Sequence, residues 1–303
     1  MEPVRENVLL PQGQSFRLLR WEQSVEQVEC VLAPRRAVPL TGQGAHWHFH
    51  PEMELTLFTK GQGMRFVGDH IAEFQTGDLV FLGKNLPHYW HAEGECAGLS
   101  LQWDFPPTHP FWAFPEMGCQ RELFAKADCG LHLTGRSGQQ ISGFMRDLAT
   151  QRDTSRLGHL LSILGLIATA PPQQCTALSR QPVRVSGVPH HQQAISRAVH
   201  HLTTHFREDV KLEKLLHLTA MSRPTFSRQF KQHNGRSFSE FLVQLRLQAA
   251  CRELKETSQT ILEIALGCGF TQISFFNRIF RREMAVSPRD YRKNHENAFA
   301  PAR

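Results

Sequence analysis

The stretch "ILEIALGCGFTQISFFNRIFRREM", residues 261–284, is typical of two helices joined by a tight turn. Phe276 and Phe280 are four residues apart, so they lie on one helical face and can anchor the second helix to a core. Arg278 lies about 200° around the helix from Phe276 and therefore points outward. The glycines of "GCGF" end the first helix. The pattern predicts a helix-turn-helix unit.

A similar pattern occurs earlier in the chain. The stretch "MSRPTFSRQFKQHNGRSFSEFL", residues 221–242, repeats the spacing Phe-x-Arg-x-Phe with Phe226, Arg228 and Phe230. Ser222 is a candidate N-cap, and Pro224 is tolerated in the first turn. A shorter helix, residues 212–218, precedes it. The C-terminal region is therefore predicted to be entirely helical and to contain two helix-turn-helix units.

The charge distribution favours a polyanionic partner for this region. Residues 190–303 carry 18 lysines and arginines against 10 aspartates and glutamates, a net charge of +8, which leaves −2 for residues 1–189. A basic half joined to a nearly neutral half indicates nucleic acid binding, although a solvated helical surface can carry a similar excess.

Residues 197–294 resemble the DNA-binding domain of AraC/XylS transcription regulators, most specifically in the pattern I-x-E-I-A-x-x-x-G-F-x-x-x-S-x-F-x-R-x-F. The resemblance implies a long helix over 238–254 between recognition helices at 223–232 and 272–281. These helices would enter successive major grooves of double-stranded promoter or operator DNA. The sequence departs from the family at Leu216, where alanine is usual, and at Ala285, where glycine is usual.

The resemblance also suggests which side chains contact DNA. Arginine can bind guanine through two hydrogen bonds, asparagine can bind adenine, and apolar groups can contact a thymine methyl. The residues expected to contact bases are Pro224, Ser227, Arg228, Ile273, Asn277 and Arg278. The residues expected to contact phosphates are Lys231, Ser274, Arg281 and Arg282.

The first 105 residues are typical of short strands separated by glycine-rich turns, as in a sandwich or small barrel. The predicted fold class is therefore multi-domain α+β, with a cupin-like N-terminal β-barrel, trailing helices, and an all-α domain with two helix-turn-helix units. The predicted boundaries are a sensing barrel at 1–110, a helical segment at 111–170, a linker at 171–189 and a DNA-binding domain at 190–296.

Residues 30–105 resemble the cupin family. The first cupin motif, G-x5-H-x-H-x3-E-x6-G, is matched in full by Gly42, His48, His50, Glu54 and Gly61. The second motif is partial: Gly77 and His88 fit, but Gly83, Asn85 and Ala92 replace its Pro, Gly and Asn.

The matched side chains allow two interpretations. Three imidazoles and a carboxylate, from His48, His50, Glu54 and His88, suit a divalent transition metal such as Fe, Mn, Ni, Cu or Zn. The same groups can instead bind an organic effector, and the candidate effector residues are His46, His48, His50, Glu54, His88 and Trp90. Tyr89, Trp90 and Trp103 could stack on a sugar or small ring, or belong to the barrel core.

Apolar stripes run along the helices over 138–170. The family resemblance suggests a dimerisation surface there, and the alternative is that these helices pack on the barrel. The predicted function is a transcription regulator, not an enzyme, that responds to a sugar or small acid and forms a homodimer. The alternative is a metal-dependent cupin enzyme with an appended helical domain.

The cellular location is predicted from the cysteines and the N-terminus. Seven scattered cysteines and no recognisable signal peptide favour reduced thiols in the cytoplasm. The longest strongly apolar run is too short to cross a membrane, so no membrane partner is expected.

Overall fold

The computed structural model describes residues 11, 13–40, 47–182 and 189–296. The chain forms two compact units. The first unit runs to Ser196 and includes residues 232–235, and the second contains residues 197–231 and those from Arg236 onward. The first unit is rich in strands and the second is helical, which confirms the predicted fold class.

The described part of the first unit contains eleven strands in two antiparallel sheets. They are β1 Phe16–Trp21, β2 Val28–Ala33, β3 Arg36–Leu40, β4 Met53–Lys60, β5 Gly63–Val67, β6 His70–Phe74, β7 Leu79–Leu82, β8 His88–Ala92, β9 Ala97–Trp103, β10 Leu131–Leu133 and β11 Cys175–Ala177. The large sheet has the order β11-β10-β7-β4-β9-β1-β2-β3, and the small sheet has the order β6-β5-β8.

The cupin-like β-barrel predicted for this unit is not a closed cylinder: the described strands form two sheets whose edge strands do not pair with one another. Strand β4 uses its two edges to pair with β7 and β9, and β8 pairs with β5 in the other sheet. Among the described residues, the sheets meet through an isolated bridge between His48 and His88. The His48 N–H donates to the His88 carbonyl at 3.1 Å, and the reverse bond is 2.9 Å.

Strand β4 separates two cores because successive side chains point to opposite faces of a sheet. Leu55 and Leu57 belong to the core on the helical side of the large sheet. Glu54, Thr56 and Phe58 point toward the small sheet; Phe58 joins the inter-sheet core, while Glu54 and Thr56 are the polar groups of this face.

Three helices, α1 Gln120–Lys126, α2 Gly135–Leu148 and α3 Asp153–Ala168, contribute to the core of the large sheet. Ile141, Met145 and Leu160 are fully buried in this core, and burial of such side chains stabilises a fold by about 1.5–3 kcal/mol each. Packing against the large sheet therefore accounts for most of the apolar residues in the stripes predicted over 138–170. Leu157 and Leu161 of α3 remain 41% and 37% exposed.

The segment predicted as a linker, 171–189, is partly structured. Residues Cys175–Ala177 form β11, which pairs with β10 and extends the large sheet. Beyond it, the Ser179 hydroxyl donates to Asp69 Oδ1 at 2.6 Å, and the Arg180 N–H donates to the same oxygen at 3.0 Å. A three-residue strand is too short to show a period, which is why the sequence did not reveal it. Residues 183–188 lie outside the described ranges.

Seven further helices follow in the described chain. They are α4 Pro189–His205, α5 Leu212–Thr219, α6 Arg223–Asn234, α7 Phe238–Glu256, α8 Ile261–Gly267, α9 Ile273–Met284 and α10 Pro288–Glu296. The two predicted helix-turn-helix units correspond to α5 with α6 and to α8 with α9. The predicted long helix between them is α7, which at 19 residues is roughly 28 Å long.

Local capping explains where these helices begin. Ser237 and Glu240 form a capping box before α7, and Thr260 and Glu263 form another before α8. Each box satisfies two backbone N–H groups that have no partner within the helix. The predicted cap of α6 is also formed, because the Thr225 N–H donates to Ser222 Oγ at 3.4 Å.

The seven cysteines all lie within the described residues, and none is paired in a disulfide. Burial, with a smaller effect from Glu253, raises the pKa of the Cys268 thiol to about 12, so this thiol is protonated at neutral pH. No helix within the described ranges combines the length and apolar character needed to cross a bilayer.

Both recognition-helix candidates end in a left-handed residue, but the residue type differs. Gly235 follows α6 with a φ of 67°, and Ala285 follows α9 with a φ of 61°. Glycine adopts this conformation without a steric penalty, whereas an L-residue pays about 1–2 kcal/mol. The departure from the family at Ala285 is therefore a point of backbone strain.

Replacing Ala285 with glycine should stabilise the protein. Relief of strain outweighs the larger unfolded-state entropy of glycine, about 0.4–1 kcal/mol, so the free energy of unfolding should rise by roughly 0.5–1 kcal/mol. Urea unfolding followed by circular dichroism at 222 nm measures this change. Gly269→Ala is a control that should lower the free energy of unfolding, since its Cβ would lie 2.8 Å from the Arg207 carbonyl oxygen. A lower unfolding free energy for Ala285→Gly would contradict the strain argument.

Candidate functional sites

Helix α6 has one buried face and one polar face. Phe226 and Phe230 are fully buried, and their rings contact each other at 5.3 Å between centroids. The predicted contact residues of this helix are all exposed: Pro224, Ser227, Arg228 and Lys231. The phenylalanine pair therefore determines which side chains face outward.

Helix α9 repeats this arrangement. Phe276 and Phe280 are fully buried, while Ser274, Asn277, Arg278, Arg281 and Arg282 are exposed. Ile273 is half-buried at the start of the helix. The Arg278 guanidinium lies 5.5 Å from the centroid of the Phe275 ring, a contact that restricts its direction.

An open groove of about 810 Å³ lies beside α9. Its basic lining residues are Arg278, Arg281, Arg282 and Arg289. Arg289 of α10 was missed by the sequence analysis, although it belongs to the quoted family stretch that ends in "SPRDYR". Arg282 differs from the others because it forms an ion pair with Glu283 at 2.7 Å, which offsets part of its charge.

These two faces have the chemistry of a nucleic-acid interface. Arginine, asparagine and serine side chains can donate to base edges and phosphate oxygens, and a basic groove attracts the phosphate backbone. Each face stands on a helix with a buried aromatic anchor, so the polar groups are held in a stable orientation.

The first unit contains a second candidate site between its two sheets. His48, His50, Glu54 and His88 are all buried, and one ligand atom from each lies within 4.8 Å of those from the others. The bridge between His48 and His88 brings the two cupin motifs together. His46, the remaining histidine predicted for this site, lies outside the described residues.

Backbone carbonyls orient two of the imidazoles. His88 Nδ1 lies 2.8 Å from the Leu86 carbonyl oxygen, and His50 Nδ1 lies 3.2 Å from that of Glu52. With Nδ1 as the donor, Nε2 of each ring points toward Glu54, at 3.7 Å from His88 and 2.9 Å from His50. His88 Nε2 is buried and has no hydrogen-bond partner among the described residues.

A row of polar side chains across three strands supports Glu54. Gln102 lies in the middle strand, β9. It is paired with Glu54 of β4 on one side and with Arg17 of β1 on the other. Its amide donates to Glu54 Oε2 at 2.5 Å and accepts from Arg17 Nε at 2.6 Å. The Thr56 hydroxyl donates to the other carboxylate oxygen. Arg17, Gln102 and Thr56 were not predicted, because only strand register reveals that they are neighbours of Glu54.

Glu54 is ionised in this setting. Burial raises the pKa of its carboxyl, but the charge of His88 and the hydrogen bond from His50 lower it more, so its pKa is well below its usual range. A buried carboxylate of this kind needs positive or hydrogen-donating partners. The site therefore favours a cation or a ligand that donates hydrogen bonds.

A small cavity of about 50 Å³ adjoins the cluster. Its polar wall includes His48, Glu54 and Gln102, and its apolar wall includes Trp21 and Trp90. Binding pockets for small molecules usually measure about 300–1,000 Å³, so aromatic rings fill most of this space.

The three aromatic residues near the second cupin motif have different environments. Trp90 lines the cavity and also belongs to the core between the two sheets. Trp103 instead stacks on Phe81, with centroids 5.6 Å apart, in the core on the other face of the sheet. Tyr89 stacks on Phe66. Of the alternatives left open for Trp103, the structure therefore supports the core role.

The donor set of the inter-sheet cluster fits a transition metal. Ligand bonds of about 2.0–2.2 Å allow donors on opposite sides of one ion to lie up to about 4.4 Å apart, close to the separation found here. In its neutral form, His88 would present the lone pair of its unpaired Nε2 to an ion, and its Nδ1 contact to a carbonyl is the outer-shell arrangement common among metal-binding histidines.

Comparison with known proteins gives matches in both units. Residues 35–158 match the family described as "AraC-like ligand binding domain", and residues 215–294 match the family described as "Helix-turn-helix domain". The HTH-type transcriptional activator RhaS of Enterobacter sp. (strain 638) is 26% identical over 253 residues, which cover 82% of this chain and 88% of the relative. RhaS of Salmonella schwarzengrund (strain CVM19633) is 25% identical over 258 residues, with the same coverage.

Among solved structures, the DNA-binding domain of AdpA in complex with a target DNA is 28% identical. It covers 36% of this chain and 98% of its own, with a TM-score of 0.34. The two family matches follow the same order as the two units, ligand-binding domain first and helix-turn-helix domain second. The chain thus joins an AraC-like ligand-binding domain to a helix-turn-helix domain, the two parts of an AraC-type DNA-binding transcription regulator.

Proposed function

We propose that the exposed residues of α6 and α9 read the operator, with Arg228 and Arg278 as the principal base contacts. The observation that supports this is the matched geometry of the two helices, in which each arginine is exposed two residues after a buried phenylalanine. Pro224, Ser227, Ile273 and Asn277 would contact further bases. Lys231, Ser274, Arg281, Arg282 and Arg289 would contact phosphates.

We further propose that the protein activates transcription, because the curated relatives reported above carry the name transcriptional activator. A reporter fused to a promoter that carries the operator should lose expression when the gene for this protein is deleted. Increased expression in the deletion strain would indicate repression instead.

Arg228→Ala and Arg278→Ala should each weaken operator binding by roughly 5- to 150-fold, because one bidentate arginine–guanine contact contributes about 1–3 kcal/mol of discrimination. Fluorescence anisotropy with a duplex selected by the wild-type protein from a random library measures the dissociation constant. The exposed Lys126→Ala on α1 removes the same charge from outside both helix-turn-helix units and should leave binding unchanged. Unaltered binding in both arginine variants would overturn the assignment.

We propose that the inter-sheet site is where the small-molecule signal is sensed. The supporting observation is a buried polar row that ends at an ionised Glu54 beside a small cavity. A sugar or small acid would place its hydroxyl groups against Glu54 and Gln102 and its apolar face against Trp90. Since the cavity is only about 50 Å³, such a ligand binds with displacement of Trp90.

A divalent transition metal held by His48, His50, Glu54 and His88 would supply a Lewis acid that coordinates an oxygen or nitrogen of the ligand. The same site thus supports two modes of recognition, by hydrogen bonds alone or through a metal. In both modes, occupancy would change the equilibrium between forms with different affinity for DNA.

Thermal unfolding in the presence of sugars, small acids and Zn²⁺, with metal content measured on the same sample, tests this site. A compound that binds at 100 times its dissociation constant stabilises the folded state by about 2.7 kcal/mol, a readily measured shift. Glu54→Gln should abolish the shift caused by an organic ligand, and His88→Ala should abolish stoichiometric Zn²⁺ binding.

The exposed His217→Ala in the second unit is the control for loss of an imidazole and should behave as wild type. Equal ligand-induced shifts in the wild type and in both site variants would show that the ligand binds elsewhere. Zn²⁺ binding below one equivalent in the wild type would exclude the metal mode.

We propose that α3 contributes to a homodimer interface. Leu157 and Leu161 are one helical turn apart and expose apolar side chains, while the opposite face of the helix is buried in the core. Two such leucines form a stripe suited to pairing with a second copy of α3.

Leu161→Glu should shift the monomer–dimer equilibrium by at least about tenfold toward monomer, because a charge at the centre of an apolar interface must be desolvated. Sedimentation equilibrium of the full chain measures this constant. Leu266→Glu changes a leucine that is 53% exposed in the second unit and should have no effect. A wild-type protein that sediments as a monomer at all concentrations would contradict the proposal.

A further inference from the structure

The two recognition helices are related by a shift of fifty residues in the sequence. This shift aligns Phe226 with Phe276 and Phe230 with Phe280, all four of which are fully buried. It also aligns the exposed Arg228 with the exposed Arg278. The internal repeat thus provides a position-by-position comparison of the two recognition helices.

The same shift holds at both ends of the helices. Helix α6 begins at Arg223 and α9 begins at Ile273, and the residues that precede them are Ser222 and Gln272. At the other end, the left-handed Gly235 aligns with the left-handed Ala285.

The alignment continues into the helices that follow. Ser237 caps α7 through the Glu240 N–H, and Ser287 aligns with it and accepts from the Asp290 N–H at 3.1 Å. From the start of each recognition helix into the helix that follows, the register is therefore supported by backbone geometry and does not depend on the phenylalanines alone.

In this register the residue that corresponds to Ile273 is Arg223, and Pro224 corresponds to Ser274. Arg223 is exposed and stands at the N-terminal end of α6, one turn before the exposed Ser227. Within the described chain, its guanidinium forms no ion pair or hydrogen bond. Its donors are therefore available to an external acceptor.

We propose that Arg223 is a specificity-determining residue that reads a guanine in the half-site bound by the first unit. In helix-turn-helix proteins the N-terminal residues of the recognition helix contact base edges, which favours a base contact at this position. The guanidinium can donate two hydrogen bonds to guanine O6 and N7.

The equivalent Ile273 offers only an apolar contact, for example to a thymine methyl. The two half-sites therefore differ at one equivalent position, with guanine preferred by the first unit and an A·T pair preferred by the second. This difference gives an asymmetric operator a defined direction. The inference rests on the proposed reading of DNA by α6 and α9.

A reciprocal exchange tests the assignment. The full-length wild type, Arg223→Ile and Ile273→Arg each select binding sites from a library of random duplexes, and the selected sequences are compared position by position. Arg223→Ile should lose a preference of roughly 5- to 150-fold for one guanine in one half-site only. Ile273→Arg should gain a guanine preference at the equivalent position of the other half-site.

The salt dependence of binding separates a base contact from a phosphate contact. If Arg223→Ile weakens binding equally for all sequences and lowers the salt slope by about one, Arg223 contacts phosphate and the inference is overturned. Unchanged selection by Arg223→Ile also overturns it. Arg228→Ala is run in parallel: if it too has no effect, the proposed DNA-reading face fails, whereas an effect of Arg228→Ala alone refutes only the role of Arg223.

Discussion

The buried phenylalanine pair of each recognition helix is the constraint on which the DNA-binding unit depends. Phe226 with Phe230, and Phe276 with Phe280, fill the cores beneath α6 and α9. A buried phenylalanine contributes several kcal/mol, far more than an exposed hydrogen bond, so the core decides the rotation of each helix about its axis. Arg228 and Arg278 face outward as a consequence. The functional groups thus depend on packing to which they contribute almost nothing.

In the first unit, packing likewise decides which way the side chains of strand β4 point, and here alternate residues lie on opposite faces. Leu55 and Leu57 bind the large sheet to the helices, and this burial forces Glu54 and Thr56 to face the small sheet. The cost of a buried carboxylate is offset by Gln102 and by the facing imidazoles. Structural and sensing roles therefore alternate along one strand, and a change of register by one residue would exchange them.

Periodic features were predictable from the sequence, and features that depend on strand register were not. The helix-turn-helix repeat, the Ser222 cap and the proximity of His88 to His48 all follow from local spacing or from a family motif. The assembly of Arg17 and Gln102 with Glu54 follows only from the pairing of β1, β9 and β4. The strand Cys175–Ala177 was missed because three residues carry no periodic signal. The division of the strands into two sheets, without closure into a cylinder, follows only from which strands pair.

The sequence by itself determined the fold class, the helix-turn-helix repeat and its outward arginines, because a helical period of 3.6 residues turns spacing into direction. Only the tertiary structure decided that Trp90 lines a cavity while Trp103 lies in the core on the other side of the large sheet. Each tryptophan belongs to a strand, and the side to which its ring points depends on strands that are distant in the chain. It also showed that the register of the phenylalanine pairs, which places Arg223 opposite Ile273, is kept at both ends of the recognition helices. The sequence could not show this, because where a helix starts and where the backbone turns left-handed depend on the packing of the neighbouring helices.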